Sequence, residues 1–274
     1  YGGVYRDVKL VFVPQQLHFD YLDGSRDGVQ VRTQKLDGQK WEVTVTGCVI
    51  NEGKDCEGEV KVSVLDRQGV VLEQTLSMYF SEKQAFTIRT EIDQPHLWMG
   101  VEDPYLYQVQ VEICTKDGVE EIRSIATGFR EIKIDPEKGM FLNGKHIKIR
   151  GVARHQDFGG VGNAVSKEQM EEDLSLVKEV GANSVRLSHY QHDDYFYRRC
   201  DEEGILVWAE VPFISILSES EKADENIRQQ MERLIKQWGN HISIYCWGVQ
   251  NEITIAGETA EIHEKVKAMA AYTK

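Results

Sequence analysis

Ser166-Lys-Glu-Gln-Met-Glu-Glu-Asp-Leu-Ser-Leu-Val-Lys-Glu-Val-Gly-Ala-Asn-Ser-Val-Arg-Leu187 writes a helix and then a strand in one sentence of sequence. Ser166 is a helix N-cap, and Gln169, three residues on, completes a capping box. Met170, Leu174, Val177 and Val180 recur at helical spacing and mark one apolar face. Gly181 stops the helix. Ser184 to Leu187 then alternates as a strand. The same rhythm extends on both sides. His146 to Gly151 reads as the strand before this helix. Asp193 to Glu203 reads as a short helix closed by Gly204, and Ile205 to Ala209 as the next strand. Ile227, Met231, Leu234, Ile235 and Trp238 line a third helix that ends at Gly239. Ile242 to Trp247 is a fourth strand, and Glu258 to Tyr272 a fourth helix. Strands alternating with helices predict a parallel sheet. A closed (β/α)₈ barrel takes eight such units and roughly 250 residues. Four units are expected here, so this part is either a small open α/β sheet or the first half of a barrel.

Before residue 134 the rhythm differs. Val8 to Phe12, Trp41 to Val45, Val60 to Val64, Phe86 to Arg89 and Tyr105 to Ile113 alternate with a period of two. Asp37-Gly38, Asp66 to Gly69 and Lys116-Asp117-Gly118 supply turns. About seven short strands in this span predict an immunoglobulin-like β-sandwich. The expected fold class is multidomain, all-β plus α/β: a sandwich over 1–133, then a partial (β/α)₈ barrel over 134–274.

Composition narrows the function classes. The chain has 274 residues, with 45 acidic against 32 basic side chains and a net charge of −13. Phosphate binding needs clustered cations, so neither nucleic acid nor an anionic membrane is an expected partner. The apolar fraction of 41% and charged fraction of 28% are those of a globular protein, not a disordered one. No apolar run reaches the ~18 residues of a membrane helix. Tyr1 to Leu10 lacks the pattern of a signal peptide. The five cysteines are scattered without a CxxC pair, which fits reduced thiols and a cytoplasmic location better than a disulfide framework or a zinc site. The acidic run Glu219 to Glu225 is read as a solvated loop and helix start.

Chemistry-bearing residues collect where the four strands end. Arg154 and His155 follow the first. Arg186, Ser188, His189 and Tyr190 lie at the second, Trp208 and Glu210 at the third, and Trp247, Asn251 and Glu252 at the fourth. In parallel α/β folds the ligand crevice lies at this end of the strands. A single strand-end histidine is usually structural; the coincidence across four strands points to a site.

These residues carry a family resemblance. Asn183-Ser-Val-Arg-Leu-Ser-His-Tyr190 resembles the first signature of glycoside hydrolase family 2, the group of bacterial β-galactosidases and β-glucuronidases. Gly239-Asn-His-Ile-Ser-Ile-Tyr-Cys-Trp-Gly-Val-Gln-Asn-Glu252 resembles the second. Phe141 to Gly151 and Val207 to Pro212 resemble that family's barrel entry and third strand. Gly2 to Val8 is similar to the tail of its sugar-binding jelly-roll domain, so residues 1–8 are expected to be that tail. The resemblance implies Glu252 as general acid/base and Asn251 as the contact to the sugar 2-hydroxyl. It implies sugar contacts from His155 and His189, support from Arg186, and a carboxylate at the site floor in Glu210. Trp247 offers an apolar wall. In some galactosidases the last carboxylate and the acid/base hold magnesium with a histidine two positions on. Here that position is Pro212, so no metal ligand is assigned in this chain. Ala153 stands where an asparagine is common, and Gln191 where a proline is.

The resemblance implies retaining hydrolysis of terminal β-linked sugars, β-galactosides first and β-glucuronides as the alternative. The nucleophile belongs to a later strand, so this chain is expected to be an inactive fragment on its own. Uncovered strand edges of a half barrel predict a homo-oligomer. A carbohydrate-binding or scaffold module that does not cut its ligand is the other class. A small α/β enzyme of different chemistry is disfavoured, because no Gly-rich phosphate loop and no strand–Ser–helix elbow occurs.

Overall fold

The computed structural model describes residues 3–24, 27–215, 217–218 and 220–274. Gly2 of the stretch Gly2–Val8 and Glu219 of the acidic run lie outside the described residues. The chain divides into two compact units. One comprises Val8–Ile147 and Lys236–Ile242; the other comprises the described part of Tyr1–Asp7, Lys148–Ile235 and Ser243–Lys274.

The first unit is a β-sandwich. Strands β1 (Leu17–Phe19) and β2 (Val29–Lys35) lie end to end along one edge of β3 (Lys40–Asn51), and β6 (Lys83–Asp93) covers its other edge. The facing sheet is β5–β4–β7–β8, built from β4 (Cys56–Asp66), β5 (Gly69–Phe80), β7 (Tyr107–Thr115) and β8 (Gly118–Thr127). Period-two alternation sends Val43, Val45, Val60, Val62, Val64, Val109, Val111 and Ile113 into one core with Phe19, Phe80 and Phe129. Each buried valine contributes about 1.5–3 kcal/mol of transfer free energy. The Asp66 carboxylate accepts from the backbone N–H of Gln68 and Gly69, at 2.7 and 3.1 Å, and so closes the β4–β5 hairpin.

Two expected strands fall elsewhere. Val8 to Phe12 pairs with nothing among the described residues, and Phe12 is 84% exposed. Alternation shows that a segment is compatible with a sheet; the ladder still needs a neighbour to take its backbone hydrogen bonds. The reading of His146 to Gly151 as one strand is also corrected. Strands β9 (Ile132–Asp135), β10 (Gly139–Leu142) and β11 (Lys145–Ile147) form a small antiparallel sheet that takes His146 and Ile147. Asn143 and Gly144, with φ of 51° and 80°, make the tight turn between β10 and β11.

The second unit holds the parallel strands. They are β12 (Gly151–His155), β13 (Ser184–Ser188), β14 (Leu206–Glu210) and β15 (Ile244–Gly248), and they lie side by side in chain order. Helices α1 (Lys167–Glu179), α2 (Asp194–Glu203) and α3 (Ala223–Trp238) connect them, and α4 (Ala260–Thr273) follows. A doubly wound open sheet reverses its strand order at a switch point, whereas this order runs in one direction only, as in a barrel. The capping box at Ser166–Gln169 is present. Met170, Leu174 and Val177 are buried, but Val180 is exposed, because the helix stops one residue before it. Asp193 caps α2, and Gly204 ends it at φ 73°.

Pleating divides the strand residues into two sets. Val185, Leu187, Val207 and Ala209 are fully buried and form one layer. The other set is Ala153 and His155, Arg186 and Ser188, Trp208 and Glu210, Cys246 and Gly248, which neighbour one another by register. This second set carries the chemistry.

Candidate active site

Arg186 on β13 is the hub. Its Nε donates to Glu210 Oε2 at 2.8 Å, and its Nη2 to Glu210 Oε1 at 2.9 Å. Strand register makes this possible: Arg186 pairs with Trp208, so Glu210 stands two residues further along the same face of the neighbouring strand. Glu210 is only 1% exposed. A carboxylate that deep needs a cation and further donors, and the planar guanidinium fork meets that need. His189 adds a third contact, its Nδ1 lying 2.5 Å from Glu210 Oε1. A carboxylate only accepts, so Nδ1–H is the donor, and Nε2 has no hydrogen-bond partner among the described residues. The His155 ring meets that of His189 edge to face, with centroids 5.0 Å apart. The peptide between Ser188 and His189 is cis.

The same Arg186 Nη2 donates to Asn251 Oδ1 at 2.7 Å. This fixes the amide with its oxygen toward Arg186 and leaves its N–H₂ without a hydrogen bond among the described residues. The backbone of Asn251 is held as well. Its N–H donates to the Phe213 carbonyl at 2.9 Å, and its carbonyl accepts from Ser215 N at 3.0 Å. The segment after β14 therefore pairs in parallel with Asn251 and carries it beside β14's own carboxylate.

Glu252 follows directly. Its φ is 48°, in the left-handed region, which costs a non-glycine residue about 1–3 kcal/mol. Its side chain is exposed and makes no hydrogen bond among the described residues, while its carbonyl accepts from Ile255 N at 3.0 Å. Ile253, buried next to it, anchors the turn. The sequence-assigned residues thus divide. Arg186, His189, Glu210 and Asn251 are joined by hydrogen bonds, and His155 reaches them through His189. Glu252 is tied to the group through the backbone of Asn251. Trp247 pairs with Ala209, one pleat position out of phase with Glu210.

Two residues of this neighbourhood, Gly248 and His192, escape sequence reasoning, and Trp208, which the sequence places only at a strand end, gains a specific contact. Trp208, not Trp247, is the tryptophan beside Arg186, whose Cζ lies 5.7 Å from its ring centroid. Gly248 lies against both Trp208 and Glu210. His192 is fully buried behind His189: its Nε2 lies 3.0 Å from the Ser188 carbonyl, and Arg154 Nη1 lies 2.9 Å from its Nδ1. Arg154 in turn pairs with Asp173 at 2.7 Å. Burial first, then the Arg154 charge, pushes the His192 imidazole down to about 3. It is therefore neutral, accepting from Arg154 and donating to the carbonyl that precedes His189. Only a third strand-end histidine, three residues after His189, could have flagged it.

The cluster does not fit magnesium. Both Glu210 oxygens are occupied by Arg186 and His189, and Pro212 offers no donor.

Polar groups gathered at the carboxyl ends of singly wound parallel strands define the layout of a TIM-barrel enzyme. The family profile described as Glycosyl hydrolases family 2, TIM barrel domain, matches residues 132–274, and the profile described as Glycosyl hydrolases family 2 matches residues 27–130. The chain belongs to glycosyl hydrolase family 2.

A β-glucuronidase from Bacteroides fragilis is 37% identical over 100% of this chain and 40% of its own length. A β-galactosidase from Thermoanaerobacterium thermosulfurigenes is 31% identical over 91% of this chain and 34% of its own length. Among solved structures, Bacteroides uniformis β-glucuronidase superposes with a TM-score of 0.89 at 31% identity, covering 99% of this chain and 34% of that one. The chain therefore spans well under half the length of these relatives.

Proposed function

We propose that this chain supplies the acid/base half of a retaining β-glycosidase that releases terminal β-linked sugars. The observation that carries the reading is the Arg186 hub, which binds Glu210 and Asn251 at once and sets Asn251 one residue before Glu252. In this reading Glu252 protonates the glycosidic oxygen as the bond to the anomeric carbon breaks. A second carboxylate attacks that carbon, and water later releases the sugar with Glu252 acting as base. The N–H₂ of Asn251 donates to a sugar hydroxyl next to the anomeric carbon. His189 Nε2 and His155 face other hydroxyls.

Retention needs two carboxyl groups about 5–5.5 Å apart. Glu210 is committed to Arg186 and His189, so the attacking group comes from a strand beyond the four described here. The 274-residue chain is accordingly expected to show no Glu252-dependent turnover by itself.

β-Galactosides are the proposed substrates, because the cation of the cluster is already neutralised by Glu210 and the site presents neutral donors and acceptors. β-Glucuronides are the second reading, favoured by the 37% identical relative of that name. The test is release of nitrophenol from paired β-galactoside and β-glucuronide substrates by a polypeptide that completes the barrel, with Glu252→Gln as control. Hydrolysis of neither, or turnover undiminished by the substitution, refutes the proposal.

A further inference from the structure

Gly248, the last residue of β15, has no conformational reason to be glycine, since its backbone lies outside the left-handed region. Its reason is space. A Cβ at this position would lie 2.3 Å from Trp208 Nε1, 2.6 Å from Glu210 Cβ and 3.1 Å from Glu210 Oε2. The first two are closer than packed atoms tolerate and the third is tighter than an ordinary contact, and neither an indole ring nor a Cβ can swing aside as a lysine tip would.

The gap is occupied by the indole of Trp208. Its N–H is buried and has no hydrogen-bond partner among the described residues. An unpaired buried donor costs about 1–3 kcal/mol, so the tryptophan is kept for its body and ring face. Beyond that ring stands the Arg186 guanidinium, within the ~6 Å range of a cation–π contact. Trp208 is also the register neighbour of Arg186 on one side and of Cys246 on the other. The three strands thus place a glycine gap, an indole plate and a guanidinium fork in series.

We propose that Gly248 and Trp208 are positioning residues: the missing side chain at 248 seats the indole, and the indole holds the Arg186 fork in the orientation that grips Glu210 and turns the Asn251 amide toward substrate. The contact part stands on the geometry alone; its catalytic consequence rests on the glycosidase reading above.

Two readouts separate them. The first is the Arg186 side chain in the ¹⁵N spectrum of the 274-residue chain, where a bidentate guanidinium gives an Nε–H shielded from exchange. Trp208→Phe keeps a ring face and is expected to retain that signal. Trp208→Leu, which keeps apolar bulk without a π face, and Gly248→Ala, which displaces the indole, are expected to lose at least tenfold of its protection. If Gly248→Ala does not fold, the Phe and Leu pair decides. Arg186 protection in Trp208→Leu equal to wild type overturns the proposal. The second readout is kinetic, in the barrel-completed polypeptide. Gly248→Ala is expected to lower kcat about 10- to 100-fold with KM changed less than about threefold, the pattern of misplaced groups rather than lost binding. Trp208→Phe is expected to lose less than Trp208→Leu. Equal kinetic losses in Phe and Leu, or a loss confined to KM, also overturn it. A polypeptide inactive on every glycoside refutes the glycosidase reading while leaving the spectroscopic result to stand or fall separately.

Discussion

Arg186 and Glu210 meet through two near-parallel hydrogen bonds across neighbouring strands, with the carboxylate wholly buried and the guanidinium side chain 34% exposed. A buried carboxylate that loses its cation is left with an unmet desolvation cost. Removing one partner of a fully buried pair typically costs roughly 3–5 kcal/mol. The exposed flank of Arg186 lets water in, so Arg186→Met is expected to cost about 2–3 kcal/mol. Glu210→Gln in the same background should recover most of that loss, because the charge left behind is the source of the penalty. Urea denaturation of the four proteins of the cycle measures both numbers. An Arg186→Met chain as stable as wild type would show that the pair does not hold the strand ends together.

The buried imidazole of His192 links stability to pH. Its folded value lies near 3, far below that of an exposed histidine, through burial and the facing Arg154. Below about pH 6.5 the unfolded chain takes up a proton that the folded chain refuses. Stability is therefore intact above the unfolded value and falls as pH drops toward 3. Between pH 6.5 and 5 the expected loss is about 2 kcal/mol. His192→Gln should be less stable at pH 7 yet show a shallower decline over that window, where few carboxylates titrate. Thermal or urea melts at half-unit steps test this, and parallel slopes for the two proteins would rule out His192 as the source.

The first turn of α1 is held by a reciprocal pair of hydrogen bonds. Ser166 accepts from Gln169 N at 3.3 Å, while Gln169 Oε1 accepts from Ser166 N at 2.9 Å. Ser166→Ala should cost about 1 kcal/mol. A change within error would mean that the first turn of α1 is held by packing alone.

Local rules made much of this visible in advance. Caps and glycine stops delimited α1 and α2, because they are satisfied within a few residues. The strand-end residues were legible because parallel strands put their chemistry at one end. What stayed hidden depends on neighbours distant in sequence. Val8 to Phe12 alternates like a strand, but pairing is a property of two segments. His146 and Ile147 went to a hairpin because Asn143-Gly144 turns the chain back, a signal that outranks the alternation after it. Trp247, a strand-end tryptophan, is the sequence's candidate for an apolar wall, yet register gives the cluster Trp208. Gly248 carries no sequence signal of its own, and only the close approach of β14 shows why no side chain fits there.

Glu252 and Asn251 are adjacent in the chain but should fail differently when removed from a barrel-completed polypeptide. Glu252 is proposed to act on the leaving oxygen. Its loss matters most where that oxygen is a poor leaving group, so Glu252→Gln should cut turnover of alkyl glycosides by about 10²–10⁴ while sparing sugar–enzyme bond formation from dinitrophenyl glycosides. Release of the sugar from the enzyme also needs a base, so that variant should show a burst on activated substrates, with azide restoring turnover because it needs no deprotonation. Asn251 is proposed to touch the sugar, whose demand is the same whatever leaves. Asn251→Ala should therefore lower kcat/KM by a similar factor across the whole leaving-group series, with no azide response. Stopped-flow kinetics over such a series tells the two patterns apart. A Glu252→Gln variant with uniform losses and no azide rescue would move the proton-transfer role to another residue.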